Sequence, residues 1–224
     1  MKVIVSCVLA VLLAAVVPAS AADPKTEDEK VLYAIGLAFS QNLSWFNLSE
    51  AEMKMVEQGL ADGVLNKTTK PKVDLQTYGP KIQELQRTRM TALAAQEKKV
   101  GQAFLDKAAA EKGATKTASG VIVTPLKPGT GPSPAATDKV KVHYHGTLID
   151  GTVFDSSVQR GEPATFPLDK VIKCWTEGVQ TMKVGGKSRL VCPSDTAYGE
   201  RGAPPRIKPG SALVFEVELL AIEK

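Results

Sequence analysis

Residues 139–154 read Lys-Val-Lys-Val-His-Tyr-His-Gly-Thr-Leu-Ile-Asp-Gly-Thr-Val-Phe. From Lys139 to His145 polar and apolar residues alternate strictly, the period of a strand with one buried face. Asp150-Gly151 supplies the dipeptide favoured in tight hairpin turns, and Val153-Phe154 begins the return strand. Toward the C-terminus, Ser188–Cys192 and Ala212–Ile222 read as two further strands. In the last, Val214, Glu216 and Glu218 alternate with Phe215, Val217 and Leu219. Between the hairpin and these strands, Val171, Trp175, Val179 and Met182 recur at helical spacing and stop before Gly185-Gly186. A twisted antiparallel sheet wrapped on one short helix follows, so residues 115–224 are expected to form an α+β domain.

Upstream the composition changes. Ala22 to Lys112 is rich in Ala, Leu, Lys, Glu and Gln and poor in glycine and proline. Three helices are predicted over 22–114. The first runs from about Thr26 to Leu43, with Val31, Leu32, Ile35, Ala38 and Phe39 on one stripe. The second opens on Ser49 and Glu52, a capping box, and stops around Asn66. The third runs from Leu75 to Lys112, with Pro80 in its opening turns, and would extend ~57 Å at the helical rise per residue. Its stripe of Ile82, Leu85, Leu93, Val100 and Phe104 needs a second surface, or much of it stays exposed. Either the helix is a solvated spacer, or the region is a dimerisation module in which the short helices of two chains pack together; a homodimer is the expectation. Small polar residues from Gly113 to Gly120 read as a linker or hinge.

The first 21 residues form a separate unit. Lys2, the apolar run Val3–Val17 and Ala19-Ser20-Ala21 make the three-part pattern of a secretory signal. The apolar run is too short for the ~20 residues of a bilayer-spanning helix. Export is therefore expected, to the periplasm or the outer surface, with no membrane span after cleavage. Cys174 and Cys192 then remain, in an oxidising compartment.

Composition excludes several classes. At 43% hydrophobic and 23% charged residues the chain is neither disordered nor a multi-span membrane protein. Its net charge of +4 is spread along the sequence without a basic run, so nucleic acid is not an expected partner. Individual catalytic schemes also fail. His143 and His145 share one strand face but lack a third metal ligand. Cys192 lies in an apolar strand, where thiols are inert packing. Ser156, Ser157 and Ser194 lack the sharp turn of a hydrolase nucleophile, and Gly185-Gly186-Lys187 lacks the spacing of a phosphate loop. Neither metal nor cofactor is expected. What remains is a set of aromatics from different elements, Tyr144, Phe154, Trp175, Tyr198 and Phe215, which by themselves could equally be core.

Six segments resolve that choice. Val142–Gly146, Asp150–Ser157, Val171–Gly178, Met182–Gly186, Pro193–Gly199 and Leu213–Leu220 together resemble the FK506-binding-type peptidyl-prolyl cis-trans isomerases, in that family's order and spacing. The helical region, with Val73–Pro80, resembles the dimerisation region of the macrophage infectivity potentiator and FkpA type. The resemblance implies a pocket of Tyr144, Phe154, Asp155, Tyr198 and Phe215, with Val171, Ile172, Trp175 and Ile207 binding substrate. Trp175 would be the floor; the Ile172 amide and Tyr198 hydroxyl would hold substrate carbonyls; Asp155 would orient polar groups at the rim; Ala203–Ile207 would be the flap. The partners implied are proline-containing unfolded polypeptides and FK506- or rapamycin-like macrolides. A dimeric chaperone or a surface virulence factor is the competing reading.

Departures from the family matter as well. Ala164 stands where the best-known members carry another aromatic, which would open one wall. Cys174 and Cys192 stand in place of a glycine and an aliphatic. In the resembling fold the helix crosses the sheet near the second of these, within reach of a disulfide. Two reduced, buried thiols are the alternative.

Overall fold

The computed structural model describes residues 23–65 and 72–223; the signal at 1–21 and the end of the second helix near Asn66 lie outside the described residues. Residues up to Phe39 and residues from Ser40 onward make two compact units. Helix α1 (Glu27–Leu43) starts as its sequence requires. Thr26 Oγ1 accepts the Glu29 N–H at 3.2 Å, and the Glu29 carboxylate accepts the N–H groups of Thr26 at 2.9 Å and Lys25 at 2.7 Å. Val31, Leu32, Ile35 and Phe39 remain 49–67% exposed in the single chain.

Helix α2 (Glu50–Val64) carries the capping box read at Ser49 and Glu52. Glu52 does double duty, because Arg89 of helix α3 (Leu75–Ala109) donates to its carboxylate and to the Phe46 carbonyl at 3.0 Å. The Arg89 contact, then the Ser49 amide and hydroxyl, hold the Glu52 carboxyl down at about 2. Asp74 caps α3 by accepting from Gln76 at 3.2 Å and Thr77 at 2.9 Å, and the helix continues through Pro80 without a break. It ends at Ala109 rather than Lys112, where the chain tightens through Glu111 N–H to Ala108 O at 3.2 Å.

The sheet comprises β1 (Thr115–Lys116), β2 (Ile122–Lys127), β3 (Lys139–Leu148), β4 (Val153–Ser156), β5 (Ala164–Pro167), β6 (Lys187–Cys192) and β7 (Leu213–Glu223). All pairings are antiparallel, in the order β1-β2-β6-β7-β3, with β4 and β5 sharing the far edge of β3. Helix α4 (Ser157–Arg160) follows β4, and α5 (Lys173–Gln180) packs against one sheet face. On that face Val140, Val142, Tyr144, Leu190, Phe215, Val217 and Leu219 join Trp175 and Val179 in the main core. The alternation in β3 is the cause, since every second residue from Val140 to Gly146 is buried.

Two expectations need correction. The segment 113–120 is not a free hinge: Thr115 and Lys116 pair with β2, and the Thr117 and Ser119 hydroxyls donate to the Glu177 carboxylate on α5. Helix α3 is not merely a spacer either. Its last turns cover the second sheet face, with Leu105 and Ala108 buried against Ile122 and Val191. Ile82, Leu85 and Val100 are left 43–51% exposed. Among the described residues, the C-terminal part of the helix packs on the sheet, while Arg89 ties its N-terminal part to Phe46 and Glu52.

Candidate active site

The wide end of the core opens as a cavity of about 390 Å³. Trp175 lines it, in the first turn of α5, with its amide bonded to Ile172 O at 2.9 Å. Around the indole the other rings stand edge-on: Tyr144 at 5.2 Å, Phe215 at 5.4 Å and Phe166 at 5.6 Å between centroids. Phe154 closes on Phe215 in the same way at 5.4 Å. Edge-to-face contact is the favourable arrangement of aromatic quadrupoles, so the rings hold one another in place as well as burying area. Gly146 makes the Phe154–Phe215 pair possible. A Cβ there would lie 2.8 Å from Phe154 Cζ and 3.0 Å from Phe215 Cε1.

One wall is polar. The Tyr144 hydroxyl donates to Asp155 Oδ2, Arg160 Nη1 donates to Asp155 Oδ1, and Arg160 Nη2 donates to the Tyr144 oxygen at 2.8 Å. Burial alone would raise the Asp155 carboxyl, but the Tyr144 hydroxyl and the Arg160 guanidinium outweigh it and hold the group below its usual range. Burial, then the hydrogen bond to Asp155, pushes Tyr144 upward. Both charges are thus fixed, and none of these groups is poised to exchange a proton near neutral pH.

Two residues lining the cavity carry donors with no hydrogen-bond partner among the described residues. Ile172 caps α5; its carbonyl accepts from Trp175 and Thr176, while among the described residues no backbone acceptor takes its own N–H. Tyr198 follows a short 3-10 turn (Ser194–Thr196) and is 41% exposed. Burial, then the nearby Asp155 charge, raises its hydroxyl above the usual value, so it stays protonated. The Trp175 indole N–H is buried with no partner among the described residues.

Of the residues expected at the site, Tyr144, Phe154, Asp155, Val171, Ile172, Trp175, Tyr198 and Phe215 line one cavity. Ile207 does not: it is 4% exposed, packed in the core, and its backbone bridges Ala203 at 2.8 and 3.0 Å. Phe166 and Lys170 line the cavity without having been singled out. The signal for Phe166 was its spacing two residues after Ala164 on one strand, which puts both on the same face. Ala164 itself is not among the lining residues, whereas the Phe166 ring is, 6.0 Å from Tyr144. His143 and His145, weighed as metal ligands, instead stand 3.2 and 3.0 Å from the Ser157 and Ser156 hydroxyls. Cys174 on α5 and Cys192 at the end of β6 are joined as a disulfide, with Cα atoms 5.6 Å apart.

A sheet wrapped on one helix, with an aromatic cavity over the helical tryptophan, defines a class that sequence comparison also finds. The family model described as FKBP-type peptidyl-prolyl cis-trans isomerase matches residues 131–220, and the model for the domain amino-terminal to such isomerases matches residues 28–122. The chain belongs to the FKBP-type peptidyl-prolyl cis-trans isomerases. It is 45% identical over 215 residues to FkpA of Aeromonas hydrophila, covering 91% of this chain and 79% of that protein. It is 43% identical over 202 residues to the FKBP-type 22 kDa isomerase of Escherichia coli K12, covering 88% and 96%. Among solved structures, FkpA from Escherichia coli superposes with a TM-score of 0.67 at 35% identity, covering 89% of this chain and 98% of that one. The protein is an enzyme that interconverts the cis and trans forms of Xaa-Pro bonds.

Proposed function

We propose that the cavity over Trp175 is the catalytic site, and that it works by binding a twisted prolyl amide better than either planar form. Rotation about the bond must overcome ~18–20 kcal/mol because amide resonance is lost midway. No bond is made or broken, so the task needs neither nucleophile nor metal. A planar amide is the more polar species and prefers water; a dry aromatic cavity removes that advantage and favours the twisted one. The prolyl ring rests on Trp175 between Tyr144, Phe166 and Phe215. The Ile172 N–H and Tyr198 hydroxyl hold the carbonyls that flank it, and Asp155 with Arg160 keeps Tyr144 turned to its place. The mutual edge-on packing of four rings around a cavity of about 390 Å³, beside two donors that have no partner among the described residues, is the observation that supports this reading.

The physiological role follows from the segment read as a signal: the enzyme acts on the folding of exported proteins, in the periplasm or at the outer surface. FK506- or rapamycin-like macrolides occupy the same cavity and inhibit it. The N-terminal helices join two copies, and two sites in one dimer raise the effective concentration of a client held by either. A chaperone role in which holding matters more than turnover is supported by the exposed apolar residues of α1.

A protease-coupled isomerisation assay on purified residues 22–224 tests the site. Tyr198→Phe is expected to lose part of the activity, and Asp155→Ala or Phe215→Ala most of it, with the circular dichroism spectrum kept. Full activity in all three variants would overturn the assignment.

A further inference from the structure

A second cleft, of about 590 Å³, adjoins the first, and Phe154 and Asp155 line both. The two clefts therefore meet on the Phe154 side. The other walls of this second cleft include Gln159 and Arg160 of α4 and Pro205-Arg206 of the flap segment. The charge here is uneven. Arg160 is spent on Asp155, so those two charges cancel. Arg206 uses one nitrogen, Nη1, to donate to Phe154 O at 2.7 Å. Among the described residues no carboxylate lies within ion-pair distance of its guanidinium, and Asp150, at the turn before Phe154, accepts the Thr152 N–H at 2.9 Å. The cleft thus carries one uncompensated positive charge, held in place by its bond to the backbone of a cavity-lining residue.

We propose that this cleft is a specificity subsite for an acidic side chain close to the proline, with Arg206 as the residue that reads it. The inference rests on the reading of the Trp175 cavity as the prolyl site. A carboxylate entering the cleft meets the free edge of a guanidinium, which offers the paired N–H geometry that carboxylates accept. A lysine there meets the same charge and is repelled. Because Arg206 is exposed, the gain is that of a surface ion pair and is screened by salt. Arg206 does not touch the rotating bond, so its effect is on which peptides are turned over, not on how the amide twists.

The test uses the full mature chain and short chromogenic peptides carrying Glu, Gln or Lys at each of the two positions on either side of one proline. At one position the ratio of kcat/KM for Glu over Lys is expected to be about two- to fivefold at low ionic strength, falling toward one in high salt. Arg206→Gln brings that ratio close to one, and Arg206→Glu inverts it. A lost structural bond would lower all peptides together and leave the ratio unchanged. A ratio of one at every position, or a ratio that survives Arg206→Glu, overturns the subsite. Replacing Trp175 separates the two readings. If turnover of the Gln peptide is insensitive to Trp175→Ala, the prolyl site is wrong and the subsite falls with it; if it is sensitive while the ratio is one, only the subsite is wrong.

Discussion

Ala94 of α3 packs directly against Gly210, in the segment that runs from Tyr198 over the active-site cleft to β7; a Cβ on Gly210 would stand 2.3 Å from the Ala94 carbonyl oxygen. Ion pairs flank the contact. Lys98 lies 3.0 Å from Asp195 and 3.4 Å from Glu200, and Glu97 lies 3.3 Å from Lys208. The long helix thereby braces the loop that carries Tyr198. Gly210 also has φ +77°, a conformation costly for any residue with a Cβ. Gly210→Ala is expected to destabilise the protein by about 2–4 kcal/mol, from the strained backbone and the forced separation of helix and loop. Denaturant unfolding measures it; an unchanged midpoint would show that the contact yields freely.

The same packing bears on where the catalytic domain can be cut. A fragment starting at residue 115 loses Leu105 and Ala108 and exposes Ile122 and Val191, both fully buried in the intact chain. It is expected to be less stable than a fragment starting near residue 90 by about 3 kcal/mol, from two aliphatic side chains returned to water. Equal melting of the two fragments would refute this.

The sulfur bridge ties the helix under the pocket to the sheet, and both cysteines are fully buried. Thiol titration of the unfolded, unreduced mature protein should find no free thiol. The bridge spans a sequence separation of 18 residues, for which loop-closure entropy suggests ~3 kcal/mol. Cys174→Ala with Cys192→Ala should therefore melt several degrees lower. Two titratable thiols per chain would overturn the bridge.

Phe166 lines the cavity, with ring contacts at 6.0 Å to Tyr144 and 5.6 Å to Trp175. Phe166→Leu should lower kcat/KM by about three- to tenfold, the value of one or two aromatic pairs, while the melting temperature changes little. Undiminished turnover would show that the wall does not touch the substrate.

Acid should act through Asp155. Its carboxyl is held below the ordinary value, so the folded state gains from its ionisation at any pH above the unfolded value of about 4. That gain disappears as pH falls from there through the lower folded value. Tyr198 is shifted upward, so its donor persists beyond the usual phenol range. Activity on an uncharged peptide is expected to be flat from about pH 5 to 9 and to fall below about pH 4, with Asp155→Asn lowering the plateau. A bell centred near neutrality would mean that a proton is exchanged during the reaction.

How much could be read in advance depends on the range of the interaction. The strict alternation of 139–145, the Asp-Gly turn and the Ser49–Glu52 box are local: each stabilises its own backbone geometry within a few residues, so strand, turn and helix start were legible in the linear chain. The identity of most pocket residues was legible too, but only through the spacing of six segments, because nothing local distinguishes a pocket aromatic from a core one. Tertiary structure alone decided the rest. Ile207 is buried in the core and is not among the cavity-lining residues, with its backbone paired to Ala203 across the flap. Thr115 and Lys116 read as linker until β2 offers them a strand edge. Phe166 becomes a pocket wall only when β5 is laid on β3 beside Tyr144, and Arg160 is neutralised while Arg206 is not because only one of them is brought to a carboxylate. The C-terminal half of α3 carries the sparse apolar stripe of a solvated helix. Small residues, Ala94, Gly101 and Ala108, let its backbone come close enough to the catalytic domain for burial, and the surface they meet is assembled from strands far along the chain.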